Sequence, residues 1–159
     1  MRGRWKDLLQ DVLPEYERLA SFGLSFDAIS KLGEVLAVAD ESEVHAAKAT
    51  VRNHVTAAMA EAAVPEAIAV RSRVLRVLSI GTEFQWEELV LVLTLRVQLD
   101  LALAVMDLFG VDATSFDLTT LDSDLREVAL SKQNRRYFMT ALATMRRNWG
   151  IPIFDRWSD

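Results

Sequence analysis

Cysteine is absent from this sequence, and glycine and proline are scarce. Its 159 residues include no Cys, six Gly and three Pro. The missing thiols exclude disulfide frameworks, thiolate zinc sites and cysteine nucleophiles. They also agree with a reducing compartment, so we expect a cytoplasmic protein. Because all-β folds need many turns, the scarcity of Gly and Pro predicts long elements with few connections.

Basic residues are not in excess either. The chain has 18 Lys and Arg against 23 Asp and Glu, a formal net charge of −5. A uniformly acidic protein repels phosphate backbones, so this balance disfavours nucleic-acid binding unless the charge is segregated. The 51% of hydrophobic and 26% of charged residues are typical of a globular protein. We expect one domain over residues 1–159, in which residues 150–159 form an aromatic C-terminal tail.

The common catalytic motifs are missing as well. The sequence has no Gly-x-Ser-x-Gly elbow, no glycine-rich phosphate loop and no His-Glu-x-x-His zinc motif. Its two histidines, His45 and His54, are nine residues apart and would face opposite sides of a straight helix. We therefore predict no catalytic residue, no metal site and no cofactor, while an enzyme built from dispersed residues stays an open alternative.

The most apolar segment of the chain runs from Leu89 to Phe109 and is long enough to span a bilayer. It contains Arg96, Asp100 and Asp107. Each of these charges would cost roughly 2.5–3.5 kcal/mol near the centre of a bilayer. We therefore expect a helix buried in protein and no membrane association.

This buried helix is predicted to run from about Glu83 to Phe109, with Gly110 as its stop. Residues 93–101 alternate apolar and polar side chains, which is typical of a strand. Helix is favoured because Leu and Ala dominate and no second segment alternates convincingly enough to pair with it.

Helical periodicity covers most of the remaining chain. Apolar residues at three- and four-residue steps predict helices over about residues 4–20, 25–39, 42–63, 65–80 and 121–148. Pro14 either kinks the first helix or begins a new one, Ser25 is the predicted N-cap of the second, and Pro65 begins the fourth. The helical spacing of the apolar residues is interrupted at residues 131–134, so the last region is either one helix or two. Together these segments predict an all-α bundle of about five to seven helices around residues 83–109.

Arg96 and Asp100 lie one turn apart inside the apolar segment. Burying a charge is costly unless it is paired. The two side chains therefore either pair with each other, or emerge with Glu88 along a polar seam, or line a pocket or an oligomer interface.

The C-terminal helical region carries two arginine pairs eleven residues apart, Arg135, Arg136, Arg146 and Arg147. Eleven residues are three helical turns, so the pairs form one stripe with about 16 Å between them along the axis. The stripe is either a solvated face or a surface for an acidic protein partner or a phosphate-bearing ligand. Trp149 and Trp157 lie at the same end of the chain, where aromatic side chains either fix the terminus or act as contact anchors.

Two short stretches resemble known families. Residues 49–55, Ala-Thr-Val-Arg-Asn-His-Val, are similar to the recognition helix of LuxR-type helix-turn-helix regulators. Residues 108–112 and 118–121 look like the later half of an acyl carrier protein. That family attaches its prosthetic arm to a Ser that follows an Asp, whereas residues 93–95 in the corresponding region are Leu-Thr-Leu.

The function favoured by the sequence is a non-enzymatic helical module for protein binding or assembly, with a protein partner, a second copy of itself, or both. One alternative is a nucleic-acid-associated regulator that uses residues 44–59 or the arginine stripe. Another is a small-ligand or enzymatic pocket near Arg96 and Asp100.

Overall fold

The computed structural model describes residues 3–81, 83–111 and 116–149. Within these ranges the protein is all-helical and contains no strand, which confirms the predicted fold class. Its seven helices are α1 (Arg4–Ser21), α2 (Ser25–Val38), α3 (Val44–His54), α4 (Ala57–Ile80), α5 (Trp86–Asp107), α6 (Thr119–Leu130) and α7 (Arg135–Trp149).

The chain divides into two compact units. The first comprises Met1–Ile68 and Gln98–Ser115, and the second comprises Ala69–Val97 and Phe116–Asp159. Both internal boundaries fall within continuous helices, so α4 and α5 each contribute residues to both units. The single domain expected from the sequence stays a prediction.

Helix α5 is the buried apolar helix that the sequence predicted. Its N-terminal half supplies Leu89 and Leu93 to the core of the second unit, and its C-terminal half supplies Leu99 and Met106 to the core of the first. Residues 93–101 are helical throughout, so the strand alternative is excluded. Helix α5 is long enough and apolar enough to cross a membrane, but 67% of its most apolar 18-residue window is buried within the fold.

The ends of α5 follow local rules. At its start, a carboxylate oxygen of Glu88 accepts the N–H of Gln85 at 2.8 Å, which is the backward half of a capping box. At its end, Gly110 has φ +72°, a left-handed conformation that favours glycine. The N–H of Val111 then reaches the carbonyl of Met106, which completes a Schellman-type ending at the stop predicted from the sequence.

The predicted boundary between the third and fourth helices is wrong. We expected one helix over residues 42–63 and a new helix from Pro65, but α3 ends at His54 and Val55 is extended, with φ −116° and ψ 144°. Thr56 then caps α4, because its Oγ1 accepts the N–H of Met59 at 3.1 Å. Pro65 lies inside α4 with its ring exposed, at the expense of one intrahelical hydrogen bond.

The predicted N-cap of α2 is also wrong. Ser25 is the first residue of the helix, and Leu24, at the cap position, makes no side-chain hydrogen bond. The N–H of Phe26 is instead accepted by the carboxylate of Glu66, forty residues along the chain. A remote carboxylate thus serves the role that was assigned to a local hydroxyl, and it also complements the positive end of the helix dipole.

Two alternatives left open by the sequence are settled. Helix α1 continues through Pro14, whose side chain is exposed. The last helical region is divided, because α6 ends at Leu130 and α7 begins at Arg135. Residues 131–134 are therefore a true break, and Asn134 within it is buried.

Candidate functional site

Arg96 is buried in the second unit and paired with a residue that the sequence did not indicate. Its side chain is 2% exposed, and Nε and Nη2 donate to the two carboxylate oxygens of Asp122 at 2.7 and 3.0 Å. Such a two-pronged contact is the strongest geometry available to an Arg and a carboxylate. Arg96 therefore joins α5 to the first turn of α6, which is a structural role for a residue predicted to be a site.

Asp100 lies on the part of α5 that belongs to the first unit, where it is half-buried. Neither Asp100 nor Arg96 is among the residues that line the two grooves described below. A ligand pocket beside them stays a prediction.

The arginine stripe lies on a continuous helix. Because α7 runs unbroken from Arg135 to Trp149, its two arginine pairs remain three turns apart. Arg135, Arg136 and Arg147 are exposed and Arg146 is half-buried. A binding role for the stripe stays a prediction.

The aromatic anchors of the C-terminal end are only partly described. Trp149, the last residue of α7, is half-buried. Trp157, with the tail of residues 150–159, lies outside the described residues.

The second unit contains a groove of about 410 Å³ that we call the acidic groove. Leu78, Phe84 and Val128 give it an apolar floor, and Asp124 and Glu127 bring two carboxylates to it. None of the described residues that line it is basic. The groove therefore combines apolar surface with negative charge.

A buried hydrogen bond joins two residues that line the acidic groove. Asn134 is 2% exposed, and its Oδ1 accepts the N–H of Phe84 at 2.9 Å. Its Nδ2 faces the hydroxyl of Ser131 at 3.4 Å. The floor residue Phe84 is thus tied to the start of α7 by a contact between residues fifty positions apart, and a pre-formed groove costs a ligand less to occupy.

Two large exposed apolar side chains belong to residues that adjoin lining residues of the acidic groove in sequence. Ile80 is 77% exposed and lies between the lining residues Ser79 and Gly81, and Leu130 is 55% exposed and precedes the lining residue Ser131. Single exposed apolar residues are normal on a protein surface, but these two adjoin lining residues of the groove in sequence and are available to a partner.

The first unit carries a smaller groove of the opposite charge, on the exposed side of α3. It has a volume of about 270 Å³ and is lined by His45, Lys48, Ala49 and Arg52 of α3 together with Leu108. The three basic residues are spaced three and four apart, so they share one helix face, which we call the basic face. The Arg52 guanidinium also lies over the ring of Phe109, 5.4 Å from its centroid.

Charge is distributed unequally between the two units. The first unit has 14 acidic and 7 basic residues, a formal charge of −7, and the second has 9 acidic and 11 basic residues, a formal charge of +2. Each groove thus has a charge opposite in sign to that of its unit. The net charge of −5 concealed this segregation.

Sequence reasoning found neither groove. The His45, Lys48 and Arg52 spacing was readable as a basic helix face, since all three fall within a predicted helix. The acidic groove could not be found from the sequence, because its residues come from two distant stretches of the chain, 78–84 and 124–134.

The described residues contain no cluster of three or more His, Asp or Glu side chains placed to hold a metal ion. The chain matches no protein-family model, no curated protein and no solved structure. The two family resemblances therefore stay hypotheses, and the function is argued from surface chemistry alone.

Proposed function

We propose that this protein is a non-enzymatic helical module for protein binding, and that the acidic groove is its binding site. The observation that supports the proposal is the apolar lining of Leu78, Phe84 and Val128 together with two carboxylates, next in sequence to exposed Ile80 and Leu130. Burying the exposed side chains of Ile80 and Leu130 against a partner releases water from them, and this release is the main driving force for protein association.

The occupant we propose is a protein segment with both apolar and basic side chains. An apolar side chain fills the floor, and a Lys or Arg meets the carboxylates of Asp124 and Glu127. Charge complementarity of this kind selects the partner and its orientation more than it raises affinity.

The test places a photo-crosslinking amino acid at Leu130 in cells. We expect it to capture one recurrent peptide that contains Lys or Arg, and we expect Asp124→Lys/Glu127→Lys to abolish this capture. The matched control puts the same amino acid at Phe22, which is 68% exposed but lies in the first unit. Failure to capture, or capture unaffected by the charge reversal, would contradict the proposal.

A second candidate function is nucleic-acid association through the arginine stripe. It is favoured by one observation, namely that the second unit is net basic and exposes Arg135, Arg136 and Arg147. Binding of a DNA duplex would weaken steeply between about 50 and 200 mM salt because counterions are released. Fluorescence anisotropy of wild type against the triple Arg→Gln variant at these positions tests it; equal curves for both would refute a role for the stripe.

A further inference from the structure

We infer that the segment which fills the acidic groove is the basic face of α3 from a second copy of this chain, so that the protein assembles head to tail. The inference rests on the proposed function and identifies its partner.

The local chemistry of the two surfaces is complementary. Lys48 and Arg52 have long aliphatic stems that cover an apolar floor while their charged ends reach carboxylates. Asp124 and Glu127 supply those carboxylates beside an apolar floor. Ala49 lies between the basic side chains on the same face, and its small side chain permits close approach of α3.

The charges of the whole units act in the same direction. A first unit at −7 and a second unit at +2 attract each other when they belong to different copies, whereas two first units repel. Contact between the first unit of one copy and the second unit of another therefore brings opposite unit charges together, in addition to the complementary charges in the groove, whereas two whole copies at −5 repel at long range. Symmetric pairing through the first units is disfavoured.

The same charges argue against a nucleic acid as the ligand of α3. A phosphate backbone that reached Lys48 and Arg52 would also meet a unit of charge −7, including Asp40 and Glu41, which are exposed just before α3. A short acidic groove on a net basic unit matches the basic face without that repulsion.

A head-to-tail contact has a consequence for stoichiometry. An open head-to-tail chain leaves one groove unused at one end and one basic face unused at the other, so it either grows further or closes into a ring. Neutralising one of the two surfaces leaves the other intact. Because the two surfaces are different, variants that each lack one of them test for head-to-tail assembly specifically.

The experiment uses two neutralised variants of the full chain, a groove variant (Asp124→Asn/Glu127→Gln) and a face variant (Lys48→Gln/Arg52→Gln). In sedimentation velocity at low salt, wild type is expected to exceed the mass of one 17.9 kDa chain. Each variant alone is expected to remain a monomer. An equimolar mixture is expected to form a dimer, and nothing larger, because only one intact groove and one intact face remain per pair.

The matched control is Asp11→Asn/Glu17→Gln, which removes two exposed charges of the first unit away from both surfaces and is expected to assemble as wild type does. Circular dichroism checks that every variant is folded. The crosslinker at Leu130 supplies a second measurement on otherwise unaltered protein, and a captured peptide from residues 45–52 of this chain is expected.

Three results would overturn the inference. They are a wild type that stays monomeric up to its solubility limit, variants that assemble as wild type does, and a mixture that fails to dimerise. If the crosslinker captures a basic segment of a different protein, this inference fails while the proposed function stands; if it captures nothing, both fail.

Discussion

The buried ion pair between Arg96 and Asp122 shows how one residue pair constrains the second unit. Arg96 is 2% exposed, whereas the side chain of Asp122 is 35% exposed. Removing two charges from water costs about as much as their attraction returns, so such a pair orients α5 and α6 more than it stabilises them. Substituting Asp122 and substituting Arg96 should therefore lower the free energy of unfolding by different amounts.

We expect Asp122→Asn to lower the free energy of unfolding by about 2–3 kcal/mol, because Arg96 keeps its charge in the interior without this carboxylate. The loss is smaller than for a fully buried ion pair because Asp122 is partly exposed. Arg96→Met should cost less, roughly 1 kcal/mol, because an apolar side chain needs no ionic partner. Urea denaturation of both variants measures the difference. The reverse order would mean that the pair is net stabilising.

Glu34 is a residue whose burial makes stability depend on pH. Desolvation raises the pKa of its carboxyl above the ordinary value of 4.5, and the charge of Lys31 opposes this only in part. The folded protein then holds the proton more tightly than the unfolded chain. The free energy of unfolding contributed by Glu34 therefore falls as pH rises above 4.5 and is regained when the carboxyl is protonated.

Glu34→Gln is accordingly expected to be more stable than wild type at pH 7, with an advantage that disappears below pH 4.5. Urea denaturation across this pH range measures it, with the exposed Glu61→Gln as the control for loss of one negative charge. An advantage that persisted unchanged in acid would show that desolvation of the carboxylate is not its cause.

Among the secondary-structure elements, α4 begins after a capping threonine and not at the proline where the sequence predicted its start. Thr56 satisfies a donor at the start of α4, where the structure begins a helix, whereas Pro65 is accommodated on an exposed face. The apolar period of residues 42–63 hides the break because Val51, before it, and Val55, within it, are both buried.

Thr56→Ala should lower the free energy of unfolding by about 1 kcal/mol, since the N–H of Met59 loses its acceptor. Thr50→Ala is the matched control. The Thr50 hydroxyl bonds back to the carbonyl of Ala46 within α3, and Ala has the higher helix propensity, so little or no loss is expected there. Equal losses at both positions, measured by thermal and urea unfolding, would contradict the capping role.

Gly33 decides how closely α2 approaches α5 within the first unit. A Cβ built at Gly33 would overlap the carbonyl oxygen of Leu101 and lie 2.6 Å from its carbonyl carbon. Both are backbone atoms, so the clash is relieved only by separating the helices.

We therefore expect Gly33→Ala to lower the free energy of unfolding by about 2–3 kcal/mol or to prevent folding, although Ala favours helix. Gly81→Ala is the control, because its Cβ would meet only the carbonyl oxygen of Glu83 at 3.7 Å. Urea denaturation compares the two variants, and a Gly33→Ala protein as stable as the control would show that α2 and α5 part without cost.

At the scale of the whole molecule, segregated charge is the feature on which the proposed assembly depends. Opposite charges attract over a distance that salt shortens, from about 30 Å at 0.01 M to about 3 Å at 1 M ionic strength. An assembly driven by units of −7 and +2 must therefore depend on ionic strength.

We expect the average mass of the wild-type assembly to fall toward that of one chain as sodium chloride is raised at constant protein concentration. Sedimentation velocity measures the mass at each salt concentration. Sodium sulfate at matched ionic strength is a control, because it strengthens apolar association while screening charge similarly. An assembly that salt strengthens would indicate that apolar contact through Ile80 and Leu130, rather than charge, holds the copies together.

Local chemistry in the sequence was sufficient to determine the fold class and several element ends. The periodicity and the Leu and Ala content of residues 83–109 predicted a buried helix, observed as Trp86–Asp107. Gly110 marked the end of α5 because glycine adopts a positive φ without steric cost. The sequence also identified Arg96 as a charge that needed a partner.

Tertiary structure alone decided which remote residues meet. It brought Asp122 to Arg96, Glu66 to the start of α2 and Asn134 to Phe84, across 26, 40 and 50 positions of the chain. Such pairings depend on how helices pack, and a periodic pattern reports which face of a helix is buried without reporting what covers it. The acidic groove was also decided by tertiary structure, because residues 78–84 and 124–134, which line it, carry no mutual signal in the sequence.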